Sequence, residues 1–179
     1  MKKRLLWITE TGLMLALLVT LQWATKPLGQ IATGTCVNAV LAVTALMAGL
    51  PSGLTVALLS PVFAFLFGIA PNAVTVPVIM LGNAVYVAVL CLGYGKKLWL
   101  RLITLLAAAL GKFAVLYLLV VRVVCGLASQ ALLEAGVLKA PMLNVLPASF
   151  SGVQLVTALL GGGVALLLVP VLKKALRRN

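Results

Sequence analysis

Apolar residues run along this chain in six long stretches, each closed by glycine, proline or charge. They cover 5–24, 31–50, 54–69, 74–92, 98–121 and 150–172. The breaks fall at TKPLGQ, at the very short LPSG, at APN, at GYGKK and across the long stretch 122–149. The hydrocarbon core of a bilayer is about 30 Å thick, and a helix needs roughly 20 apolar residues to cross it. The pattern therefore predicts an all-α membrane protein: a single domain over 1–179, built as a six-transmembrane-helix bundle.

Composition strengthens this reading. Hydrophobic residues make up 64% of the 179 and charged residues only 9%, against roughly 25% charged in an ordinary soluble domain. No soluble core of this size hides so much apolar surface. Lys2, Lys3 and Arg4 before an apolar run also suit a cleavable signal peptide. The run has the length of a spanning helix, however, and TKPLGQ offers no small-x-small cleavage site, so 5–24 is expected to be the first transmembrane helix.

The net charge of +12 comes from 14 Lys and Arg against Glu10 and Glu134. In a soluble protein that excess would point to nucleic acid. Here its placement points to topology. Lys2, Lys3 and Arg4, then Lys96, Lys97 and Arg101, then Lys173, Lys174, Arg177 and Arg178 all fall on one side of a six-span chain. Cations in short loops accumulate on the cytoplasmic side, which predicts cytoplasmic N and C termini in contact with the lipid bilayer and no nucleic-acid partner.

Four cations stand apart: Lys26, Lys112, Arg122 and Lys139. In this topology they mark a path from the outside to mid-membrane with Glu134 as the only acidic neighbour, so an anionic ligand entering from outside would balance them. Snorkelling to the outer headgroups is the alternative for Lys26, Arg122 and Lys139. Lys112 lies within AAALGKFAVLYLL, where a central charge costs roughly 2.5 to 3.5 kcal/mol. It either reaches a ligand or cavity, with help from Arg122, or bonds helix carbonyls or an amide such as Asn83. At 100° per residue Lys112 and Arg122 are offset by about 80° on a shared broad face of the fifth helix.

Asn38, Asn83 and Gln154 also sit inside apolar runs, with Tyr86 on the Asn83 face. Side-chain amides in lipid need partners, so these residues serve as interhelical glue or contact a substrate. Cys36, Cys91 and Cys125 form no CxxC pair, and the chain has no histidine, so no metal site is expected. There is no GxxxxGK[ST] loop and no paired nucleophile and base, which predicts neither an enzyme nor a cofactor. Gly12, Ala16 and Thr20 make a stripe of small residues along the first helix. It packs against Gly161, Gly162 and Gly163 within the chain, or it faces another protein.

The run GQIATGTCVNAVLAVTALMAGLPSGLTVALLSPVFAFLFGI, followed by VPVIMLGNAVYV, resembles the membrane S components of energy-coupling factor (ECF) transporters, in their unassigned-substrate group. The likeness is densest over 29–87 and extends to size, six spans and cytoplasmic termini. It implies a substrate-capture subunit that binds a vitamin or related micronutrient from outside. Such a subunit associates with a membrane T component and two ATPases, topples to release its cargo and itself hydrolyses nothing. It also implies that Gly12, Ala16 and Thr20, a loose match to an AxxxA-type motif, dock the T component. The loop ATKPLGQIATG, carrying Lys26, Gln30 and Thr33, would then cap the site. The candidate substrate contacts are thus Lys112, Arg122, Asn83, Asn38, Gln154, Lys26, Gln30 and Tyr86, with a small anionic micronutrient expected. A rod-shape-determining scaffold of the MreD type is the alternative.

Overall fold

The computed structural model describes residues 2–93 and 97–176, so Lys96, Arg177 and Arg178 of the expected cytoplasmic clusters lie outside the described residues. Helix α1 (Lys2–Thr25) runs into a single tight turn, Lys26–Leu28, and α2 (Gln30–Ala48) returns beside it. The link from α2 to α3 (Leu50–Leu66) is one residue, Gly49, at φ 87°. A side chain is strained in that backbone region, and glycine is not. Pro51 then sits in the first turn of α3, where its missing N–H has no helical acceptor to serve. Helix α4 (Thr75–Gly93) follows, and then α5 (Leu98–Leu116), which continues as a wider π-type helix through Tyr117–Leu127.

The stretch 122–149, expected as a long break, is largely helical. After the π-type segment come α6 (Ser129–Glu134) and α7 (Met142–Phe150), and α8 (Gly152–Ala175) closes the chain. The reason lies in its composition: VRVVCGLASQALLE contains no proline, and Leu132, Leu138, Leu146 and Phe150 close over Leu116, Val120 and Val124 as a second, smaller core. Burial of that apolar face holds the short helices in place.

Among the described residues, five stretches are long and apolar enough to cross a membrane: Arg4–Leu28, Gln30–Ala48, Thr75–Gly93, Leu98–Leu127 and Met142–Ala175. The apolar helix Leu50–Leu66 is shorter, at 17 residues. Large apolar side chains such as Leu5, Ile8, Leu102, Ile103, Leu167 and Val171 stand exposed around the outside. Such a surface is sustained against lipid and not against water. The described chain is an all-helical, multi-pass membrane protein.

Helix α2 is central, packing on α1, α3, α4 and α8, while α5 packs on α4 and α8. The approach of α8 to α2 depends on Gly161, where a Cβ would come 2.6 Å from Thr35 O and 2.7 Å from Ala39 N. The main core fills the middle with Leu18, Leu41, Val56, Tyr86, Leu105 and Ala165. One end of the bundle gathers the loops: Lys26 Nζ donates to Phe67 O (3.2 Å), Gln30 Nε2 to Ser149 O (2.7 Å) and Asn72 Nδ2 to Val137 O (2.9 Å). At the other end Glu10, Met47 and Leu172, from α1, α2 and α8, line a second cavity of about 450 Å³.

Candidate ligand-binding site

Lys112 is 3% exposed and makes two short hydrogen bonds. Its Nζ donates to Asn38 Oδ1 at 2.6 Å and to Asn83 Oδ1 at 2.7 Å, and lies 5.6 Å from the centre of the Tyr86 ring. Helices α5, α2 and α4 are thereby joined at one buried point. Hydrogen bonds to a charged group are worth roughly 1.5 to 3 kcal/mol each, so the two together offset the roughly 2.5 to 3.5 kcal/mol cost of a mid-membrane charge. The network continues outward. Asn38 Nδ2 donates to Thr157 Oγ1 (3.2 Å) on α8, and the Tyr86 hydroxyl donates to Ala158 O (2.9 Å).

Above this network lies a cavity of about 330 Å³ that opens at the loop-bearing end of the bundle. Exposed Lys26, Gly29 and Gln30 form its rim, and buried Thr33, Ser60, Pro61 and Asn83 line its depth. Val37, Ile79, Val145 and Phe150 supply apolar wall. This volume lies at the lower end of the range for small-molecule sites, about 300 to 1,000 Å³. Lys26 is the only charged side chain among the described residues that line it.

Of the eight candidate contacts, Lys26, Gln30, Asn83 and Gln154 line the cavity together. Gln30 Nε2 and Gln154 Nε2 both donate to Ser149 O, at 2.7 and 3.1 Å, so α2 and α8 are drawn to the end of α7 over the rim. Lys112, Asn38 and Tyr86 are buried behind the wall and reach the cavity through Asn83. Arg122 is exposed and lines no part of it, so it does not share a ligand face with Lys112. Lys139 is likewise exposed and outside the lining. The path of four cations is therefore one rim lysine, one buried lysine with amide partners, and two exposed cations elsewhere.

Gly12, Ala16 and Thr20 are all exposed, and a Cβ on Gly12 would meet nothing within 4 Å. Gly161 meets α2, and Gly162 meets Tyr86 and Leu105, so packing of the stripe against these glycines within the chain is excluded.

Two of the lining residues that were not expected from sequence carry an unsatisfied atom. Gln22 Oε1 and Ser60 Oγ are buried without a hydrogen-bond partner, the residues being 5% and 0% exposed. A buried acceptor left unmade costs about 1 to 3 kcal/mol. Gln22 lies four residues before Lys26 and so shares its helical face. That spacing was the available signal. No family model, curated protein or solved structure matches the chain.

Proposed function

We propose that this chain is the substrate-capture subunit of an ECF-type importer in the bacterial cytoplasmic membrane. The mouth of the cavity faces outside and both termini face the cytoplasm. A small micronutrient enters past Lys26 and Gln30, and the turn at 26–29 with the 67–74 loop closes over it. Release follows association with a membrane T component and two ATPase subunits, with the exposed Gly12, Ala16 and Thr20 stripe as the docking face. The chain itself performs no hydrolysis.

The observation that carries this reading is the cavity, which gathers Lys26, Gln30, Asn83 and Gln154 from separate helices around one space of about 330 Å³. The orientation rests on the Lys and Arg clusters; among their described members, Arg4, Lys97, Arg101, Lys173 and Lys174 sit at the helix ends opposite the cavity mouth.

The test is thermal unfolding of the detergent-purified protein against a panel of vitamins, with native mass spectrometry for a co-purifying small molecule. A ligand at 100 times its dissociation constant adds about 2.7 kcal/mol to stability, enough for a clear upward shift. A scaffold of the MreD type would respond to no member of the panel and carry no bound compound.

A further inference from the structure

Helices α1, α2, α3, α4 and α8 line the cavity and also build the main core, whereas α7 lines the cavity and belongs to the second core. Its i, i+4 pairs give it three faces. Val145 and Ser149 line the cavity, Leu146 and Phe150 are buried in the second core, and Asn144 and Ala148 are exposed. Helix α7 is therefore a wall one helix thick between the cavity and the surroundings of the bundle.

This wall is loosely built. It is 9 residues long, and Pro147 within it has no N–H to give to Leu143 O. The bonds that start it, from Asn144 N and Val145 N to Pro141 O, are long, at 3.3 and 3.4 Å. It ends in a break at Ser151 (φ −93°, ψ −134°), and at Gly152, the first residue of α8, a Cβ would meet nothing within 4 Å. Short elements with few internal bonds open at the least cost, and a break beside a small residue absorbs the rotation. Gly136, at φ 68°, gives the chain a turn on the other side of α7.

Side-chain bonds hold the wall at both ends. Ser149 O belongs to the last turn of α7, whose carbonyls have no N–H partner within the helix. It accepts Gln30 Nε2 from α2 at 2.7 Å and Gln154 Nε2 from α8 at 3.1 Å, which braces the break. At the far end Asn72, in the loop between α3 and α4, donates from Nδ2 to Val137 O at 2.9 Å and lies 3.5 Å from Met142 Sδ. Its Oδ1 accepts Val74 N (2.9 Å), so Asn72 is fixed on the α4 side and reaches across to the start of α7. The Gln30 and Asn72 bonds are both exposed, so water takes the place of either carbonyl when the bond parts. We infer that α7 is the gate of the cavity: it swings outward about Ser151 and Gly152, and the bond from Asn72 to Val137 O latches it shut. The part of this gate in ligand entry rests on the reading of the cavity as a binding site; the swing itself does not.

Pulsed electron–electron double resonance on the full chain in detergent, with its own cysteines replaced, tests the gate. Spin labels at Asn144→Cys, on the exposed face of α7, and at Leu66→Cys, exposed at the end of α3, are expected to give a short and a long distance. Labels at Leu66→Cys and Ile31→Cys, the latter exposed at the start of α2, are expected to give one distance. Asn72→Asp keeps the acceptor for Val74 N and loses the donor to Val137 O. It should raise the ratio of long to short distances about two- to tenfold, the share of one neutral hydrogen bond. Gly152→Ala fits the open space and stiffens the hinge, so it should lower the ratio about two- to fivefold. A vitamin that stabilises the protein should deplete the long distance. A single distance for the α7 pair that neither substitution changes, or a long distance that a stabilising vitamin leaves in place, overturns the gate. Two distances with a silent vitamin panel uphold the swinging wall and remove the importer reading.

Discussion

Lys112 Nζ lies 2.7 Å from Asn83 Oδ1, so a lysine that itself lines no part of the cavity holds one of the polar residues that do. A charge placed behind the wall thus fixes part of the wall.

The pair should behave as a coupled unit. Asn83→Leu takes one of two acceptors from a buried ammonium and should destabilise by roughly 1.5 to 3 kcal/mol, the worth of a hydrogen bond to a charged group. Adding Lys112→Met to that variant should recover part of the loss, because the charge in need of partners is gone. Thermal unfolding of both single variants and the double variant gives the coupling; strict additivity would show that the contact carries no energy.

Helix α8 should tolerate no side chain at Gly161. A Cβ there meets the backbone at Thr35 O and Ala39 N, which cannot rotate away, so Gly161→Ala should cost about 1 to 3 kcal/mol by overpacking. Two residues on, a Cβ at Gly163 meets nothing within 4 Å, and Gly163→Ala should be neutral or mildly stabilising. Equal unfolding temperatures for the two variants would contradict the α2 and α8 contact.

Tyr86 is fully buried, with its hydroxyl donating to Ala158 O at 2.9 Å. Tyr86→Phe keeps the ring and loses that bond, so stability should fall by about 0.5 to 1.5 kcal/mol. Binding of any cavity ligand should be unchanged, since Tyr86 does not line the cavity. Isothermal titration of a ligand found by the panel separates the two effects.

Bulk added to the first helix should spare the isolated subunit. Ala16 is exposed, so Ala16→Leu should leave the unfolding temperature and ligand affinity of the purified chain as they were. Under the importer reading the same change should abolish uptake in cells, because it holds the T component away. Retained uptake would show that docking uses another face.

Side-selective labelling of single introduced cysteines, in a chain whose own cysteines are replaced, checks the orientation. Lys26→Cys and Lys139→Cys should react from outside the cell, and Lys174→Cys only after the membrane is opened. The opposite pattern would invert the bundle and turn the cavity toward the cytoplasm.

Much of the helix layout was legible because apolar runs of spanning length are a direct consequence of bilayer thickness. Of the polar residues singled out in the sequence, Lys26, Gln30, Asn83 and Gln154 line one cavity. Their grouping could not be read from one helix at a time, since it depends on how α1, α2, α4 and α8 cross. Arg122 shows a second limit. Helical phase at 100° per residue carries as far as Leu116, and from Tyr117 the wider π-type turn changes the angle, so the calculated shared face of Lys112 and Arg122 does not form. Gln22 escaped notice because it lies at the end of an apolar run, where a polar residue usually meets water. Ser60, beside Pro61 inside α3, looked like an ordinary helical serine.

The brevity of α3 has a consequence for the surrounding lipid. Its 17 residues rise about 25 Å, short of a hydrocarbon layer about 30 Å thick. Since the turn at Gly49 ties its start to α2, the shortfall collects where Gly68, Ile69, Ala70 and Pro71 border the cavity. Lipids on that flank must thin or bend to meet the protein. Under the importer reading the entrance is consequently sunk among the headgroups, and a solute arriving from water crosses that layer before it meets Lys26.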